Sequence, residues 1–397
     1  MSSIAEMKTD RGFSARAAGA GALASFVGFA STFTLIVNAL TNVGATRAQA
    51  ASGLMAVSIV MGLAGIVLSY RTRMPVSVAW STPGAALLLG LGAVKGGYPA
   101  AVGALVLTGA LLTLAGLWRP LGRAISRIPL PIANAMLAGI ILNLCVAPVH
   151  ALAQYPLYVA PILLVWVVMM RVRKILAVPC AAVATLIVIA FIAKTGGGVG
   201  ATGMLPHLAL VGPVFSASTM VSVAVPLFIV TMASQNIPGV AVLNVNSYRP
   251  EASRLFTATG LCSLLAAPFG GPPIGLAAIT AALCAGEEAG PDESRRYWAG
   301  IVCGAAYIVY GFASSAATLF IAVAPPIIIE AVAGLALMNA LGGALLNAFT
   351  DKDAREAAIL TFLVTMAGHA FLGIGGAFWG LLTGIVLTFV LRREEGR

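Results

Sequence analysis

Apolar residues run along this chain in long blocks. Short charged or Gly/Pro-rich stretches divide it into fourteen segments: 20–41, 48–69, 76–91, 98–117, 131–150, 155–171, 175–193, 217–237, 253–269, 272–286, 297–318, 326–348, 356–373 and 375–391. Most approach the ~20 residues that a helix needs to cross a bilayer. Two are built differently. The third, VSVAWSTPGAALLLGLG from Val76, alternates like a strand as far as Trp80 and then reads as a helix start at Ser81-Thr82-Pro83-Gly84. Ser81 or Thr82 suits the N-cap, Pro83 the first helical position and Gly84 a close backbone approach. The tenth, FGGPPIGLAAITAALCAG from Phe269, carries Pro272-Pro273, which forbid a continuous helix, and Gly275, which leaves the backbone open.

These two segments hold matching places in two sets of seven. A second correspondence supports the pairing: Pro131-Ile132 followed by Ala138-Gly139 in segment five recurs as Pro326-Ile327 and Ala333-Gly334 in segment twelve. Because seven is odd, the second set enters the membrane with the opposite orientation, giving an inverted repeat over about 17–195 and 215–392. Interrupted segments paired in this way build midplane binding sites. Irregular backbone is tolerated where it lines a protein cavity, and half-helix N-termini present positive dipole ends there. The competing reading is a pair of kinked helices packed through small residues.

Composition agrees with the block pattern. Of 397 residues 60% are hydrophobic and 9% charged, against about a quarter charged in soluble domains, so the chain reads as one all-α polytopic membrane domain. Its net charge of +10 describes topology rather than nucleic-acid binding, because twenty of the 23 basic residues fall on one side of the fourteen-segment scheme. Only Arg47, Lys95 and Lys194 fall on the other. The asymmetry predicts that both termini are cytoplasmic; the membrane expected is a bacterial inner membrane. Residues 1–16 are polar and basic, but the apolar run after them has full span length, so it reads as a first helix rather than a cleaved signal. Cys145, Cys180, Cys262, Cys284 and Cys303 stand singly, with no CxxC, and read as small core hydrophobes; neither a metal site nor a cofactor is expected. With no HExxH, no paired intramembrane aspartates and no Ser/His pair, an enzyme is not expected.

AWSTPGAALL at 79–88, VTMASQNIPGVAVLNVN at 230–246, LAAITAALCAG at 276–286 and RRYWAG at 295–300 together resemble the benzoate/proton symporter family, BenE. The resemblance covers nearly the whole chain. It implies a seven-plus-seven inverted-repeat fold similar to that of uracil and xanthine permeases and of sulfate and bicarbonate transporters. It also implies a core of spans one to four and eight to eleven (about 17–118 and 215–320), a gate of spans five to seven and twelve to fourteen (about 127–195 and 325–392), and substrate between spans three and ten. The sulfate branch usually adds a cytoplasmic STAS domain, for which little length remains after segment fourteen. In one place the chain departs from the family. Where the pattern reads Ile-Asn-Leu-Ala-Ala-Ile-Thr, this sequence has Ile274-Gly275-Leu276-Ala277-Ala278-Ile279-Thr280, which removes a polar side chain beside the expected site and opens it to a different or larger acid.

The implied substrate-binding set is Trp80, Ser81, Thr82 and Gly84 in segment three, Ser234, Gln235 and Asn236 at the end of segment eight, and Ile274, Gly275 and Leu276 in segment ten. Ser234 and Gln235 can donate to a carboxylate, but the same trio also reads as a helix end before Pro238-Gly239. Trp80 can stack on an aromatic substrate or pack beneath the short helix. Thr34 and Asn38 face the core cavity or a neighbouring helix. For proton coupling the candidates are Glu330, also readable as an interfacial group at a helix start, and His369, also readable as a packed histidine. The expected function is import of a small aromatic or organic carboxylate with protons by alternating access. A nucleobase-type permease and a passive anion channel or exchanger are the alternatives. The sequence leaves the oligomeric state open, a homodimer included.

Overall fold

The computed structural model describes residues 12–118, 129–195, 207–315, 318, 325–369, 371 and 376–391. Among them fourteen helices answer the fourteen segments: α1 Ala15–Asn42, α2 Arg47–Thr72, α3 Thr82–Leu91, α4 Gly97–Leu117, α5 Leu130–Gln154, α6 Pro156–Val172, α7 Ala177–Thr195, α8 Ala217–Val245, α9 Ala252–Ala266, α10 Ala278–Ala285, α11 Tyr297–Phe312, α12 Pro326–Phe349, α13 Arg355–Ala367 and α14 Gly376–Leu391. Seven are long and apolar enough to cross a membrane by length and composition alone. Strands β1 (Val78–Trp80) and β2 (Ile274–Leu276) precede the two shortest helices, α3 and α10, so segments three and ten are each a strand followed by a half-helix.

Packing follows the inverted repeat. α2 packs on α11 and α4 on α9, two contacts that exchange under the repeat, while α5 packs on its own counterpart α12. Small residues bring the backbones together, as the interiors of membrane bundles require. A methyl on Gly62 of α2 or Gly304 of α11 would strike the other's carbonyl, and one on Gly260 of α9 would strike the Thr113 backbone of α4. Ala151, Val159, Ile162, Ala181, Ala182, Ile328, Ala331, Val332 and Leu335 form a second apolar cluster shared by α5, α6, α7 and α12. The described part of the stretch joining the repeats, residues 207–216, is tied to the loop after α9 and to the start of α4: Val211 N–H donates to Pro268 O at 2.8 Å and Val214 N–H to Pro99 O at 2.9 Å.

Two boundaries correct the sequence reading. α8 does not stop before Pro238 but continues to Val245, with wide π turns at Met220–Ala224 and Met232–Asn236. Each π turn stands directly ahead of a proline, Pro226 or Pro238. A proline ring clashes with the carbonyl four residues back and offers it no N–H; widening the turn relieves both. α13 ends at Ala367 and Gly368 takes a left-handed φ of 66°, so His369 lies beyond the helix.

Candidate substrate site at the paired half-helices

β1 and β2 pair antiparallel with Val78 opposite Leu276, Ala79 opposite Gly275 and Trp80 opposite Ile274. The ladder is closed alike at its two ends: Ser81 N–H donates to Pro273 O at 2.7 Å, and Ala277 N–H to Ser77 O at 3.1 Å. The pseudo-two-fold axis therefore passes through the Ala79–Gly275 pair, and α3 and α10 leave the ladder from opposite ends.

Three-residue strands inside an apolar bundle survive only if the adjoining backbone finds partners. Each half supplies a serine from the helix before its strand. Ser69 Oγ of α2 accepts from Val76 N–H and donates to Val76 O, both at 3.1 Å. Ser263 Oγ of α9 accepts from Ile274 N–H at 2.8 Å, with its own proton nearest Thr259 O at 2.8 Å and Ile274 O at 3.3 Å. A third contact joins the halves, Ser77 Oγ and Thr280 Oγ1 at 2.7 Å.

The two half-helix N-termini are finished differently. Ser81, fully buried, caps α3 by accepting from Gly84 N–H at 3.1 Å, and its oxygen also accepts the Thr231 hydroxyl of α8 at 2.9 Å. A Cβ on Gly84 would lie 2.7 Å from Leu227 of α8, so this glycine serves helix packing. α10 begins after Ala277, which has no side chain able to cap it. Among the described residues no side chain accepts its first N–H groups, which carry the positive end of the helix dipole. Neither Thr82–Leu91 nor Ala278–Ala285 contains a lysine or arginine.

The second π turn of α8 lies against β2. Asn236, fully buried, accepts Leu276 N–H at 2.9 Å through Oδ1 and directs Nδ2 to Met232 Sδ at 3.3 Å. Its amide thereby fixes the strand. Ser234 and Gln235 of the same turn are partly exposed and make no hydrogen bond among the described residues. The side of Gly275 that a side chain would occupy faces this turn rather than open space: a Cβ there would be 3.1 Å from Asn236 Oδ1 and 3.3 Å from Gln235 Cβ. Ile274 and Leu276 are wholly buried packing residues, and Leu276 sits where a Cβ on Gly239 would be.

Of the remaining candidates, Trp80 is 2% exposed. It donates Nε1–H to Thr32 Oγ1 at 2.9 Å, and its ring packs on Phe29 and Tyr307 with centroids 5.5 and 6.1 Å away. In this conformation it supports the half-helix from beneath. Thr82 is partly exposed at the first position of α3, and Thr34 of α1 is buried with no partner for its hydroxyl. Glu330 lies one turn into α12, partly buried, and His369 is exposed. The structure thus brings Gln235, Asn236 and Gly275 together beside the ladder, with Ser81 joined to α8 through Thr231. Glu330 and His369 stand on other elements. Thr231 and the two serines Ser69 and Ser263 escaped the sequence reading, the only signal being hydroxyls in otherwise apolar helices.

The fold is shared with solved anion transporters. The chain aligns with the transmembrane domain of a cyanobacterial bicarbonate transporter, BicA, with a TM-score of 0.56 and 15% identity, covering 94% of this chain and 96% of that one. It aligns with murine Slc26a9, an anion transporter in the inward-facing state, with a TM-score of 0.64 and 12% identity, covering 98% and 69%. In sequence it is 39% identical over 376 residues to the inner membrane protein YdcO of Escherichia coli strain K12, covering 94% of this chain and 95% of that protein. It is 31% identical over 382 residues to the benzoate membrane transport protein of Acinetobacter baylyi, covering 95% of each. The family model described as BenE, benzoate membrane transport protein, matches residues 12–390. The chain therefore belongs to the BenE family and is an integral membrane transporter, not an enzyme.

Proposed function

We propose that the protein imports a small aromatic or organic carboxylate of the benzoate type, with protons, across a bacterial inner membrane with both termini in the cytoplasm. The observation that carries this reading is the α10 N-terminus, which has no N-cap side chain, two residues after the Leu276 that Asn236 anchors and with the uncommitted Gln235 packed beside Gly275; Ser234 precedes Gln235 in the same turn of α8. Backbone N–H groups at the positive end of a helix bind anions without a fixed cation, and a carboxylate there takes further donors from an amide or hydroxyl. The name of the Acinetobacter relative supports benzoate as the reference substrate.

Transport follows by movement of one helix group against the other. α1–α4 and α8–α11 form the body that holds the ladder, and α5–α7 with α12–α14 the gate, the two meeting where α1 packs on α7 and α12 and where α3 packs on α5. The proton is assigned to Glu330, a partly buried carboxylate of α12 with no ion-pair partner among the described residues. Glu330→Gln should abolish accumulation driven by a pH gradient while preserving substrate exchange; a mutant that still accumulates substrate and collapses with a protonophore removes Glu330 from the mechanism.

Uptake of a panel of labelled carboxylates into proteoliposomes, with and without an inward proton gradient, tests the whole reading. Concentrative, gradient-dependent uptake of an aromatic carboxylate is expected. Equilibrative anion currents without proton dependence would make the protein a channel, and uptake of nucleobases in preference to acids would make it a nucleobase permease.

A further inference from the structure

Arg296, in the RRYWAG stretch, is 5% exposed. It makes no ion pair among the described residues. Its guanidinium instead donates from Nη1 to Ala285 O, at the C-terminal end of α10, and from Nε to Gly290 O, both at 2.7 Å. The Tyr248 phenol, just past the end of α8, also lies against it. A buried charge is costly unless its hydrogen bonds are well satisfied. Burial strengthens the interaction of that charge with the helix dipole, because solvent does not screen it.

The placement has an electrostatic consequence for the other end of the helix. α10 has eight residues, a length of about 12 Å. Its carbonyl end is neutralised by a full positive charge shielded from solvent, while its N–H end has no cap. The negative pole of the dipole is thus cancelled and the positive pole is not, so the whole half-helix acts on its N-terminal ligand as a cation. At the end of α3 the corresponding donor is neutral: the Asn42 amide donates to Leu89 O.

We infer that Arg296 is a specificity-determining positioning residue, which acts through α10 to favour a carboxylate over an uncharged ligand without touching it. This rests on the placement of the anion at the α10 N-terminus. A buried charge about 14 Å away, at an effective dielectric near 20, changes anion affinity by about sevenfold and leaves a neutral ligand almost unaffected.

The test measures binding of benzoate and of benzamide, its uncharged isostere, to purified wild type, Arg296→Gln and Arg296→Lys, with thermal melting as the check on folding. Arg296→Gln should lose about sevenfold in the benzoate-over-benzamide ratio. Arg296→Lys should keep the ratio within about twofold, since the charge remains although the forked hydrogen bonding is lost. A folded Arg296→Gln protein with an unchanged ratio overturns the inference alone. Should Arg296→Gln fail to fold, a folded Arg296→Lys protein that has lost the preference overturns it equally. A wild type with no preference for benzoate overturns the anion site itself and the inference with it.

Discussion

α3 and α10 leave opposite ends of one antiparallel ladder, yet Ser81 closes the first turn of α3 while Ala277 leaves that of α10 open. The backbone obeys the inverted repeat: register, closing hydrogen bonds and serine anchors all have counterparts in the other half. The side chains at the two N-termini do not. In repeat one Ser81 is also held by Thr231, so its polar capacity goes to structure. In repeat two, support comes from the side, through Asn236 on Leu276 N–H, and the helix end has no capping side chain of its own. A symmetric frame thus carries two differently finished helix ends, and the proposed anion site uses the one in the second repeat.

Breaking the lateral support should have the largest effect. Asn236→Leu leaves Leu276 N–H buried without an acceptor, costing about 1–3 kcal/mol, so a lower melting temperature should accompany loss of binding. Gly275→Val comes next. Its Cβ alone reaches 3.1 Å from Asn236 Oδ1, and the added methyls crowd the π turn at about 1–3 kcal/mol; binding should fail by displacement of α8. Unchanged affinity in purified Gly275→Val would move the site away from β2. Ser81→Ala is smaller, about 1 kcal/mol of stability for the lost cap. It should leave carboxylate affinity nearly unchanged, and a large fall in affinity would place the anion at α3 instead.

Much of this architecture was legible in the residues, and the losses have physical causes. Gly/Pro breaks and charges mark all fourteen helices, and VSVAW ahead of Ser81 announced a strand and a cap because alternation and capping are local properties. Pro238 misled because a proline in a helical run either ends the helix or is absorbed by a wider turn. Only the surroundings of α8, including Leu276 against Gly239, decide for the second. Gly275 read as open backbone, yet the empty side of its Cα is filled by Gln235 and Asn236 from a helix about forty residues earlier in the chain. The role of Thr231 likewise depends on a partner remote in sequence, Ser81.

The central claim is that the anion occupies the uncapped end of α10, and giving that end the cap that α3 already has tests it most directly. Ala277 has the extended conformation that a capping serine adopts, with φ −94° and ψ 110°. Ala277→Ser should therefore raise the melting temperature through about 0.5–2 kcal/mol of capping energy. In equilibrium binding to the purified protein, the same variant should bind benzoate several-fold more weakly, because the new hydroxyl oxygen takes the N–H donors that the carboxylate requires. A variant that is stabilised as expected and yet binds benzoate as tightly as the wild type would contradict the account.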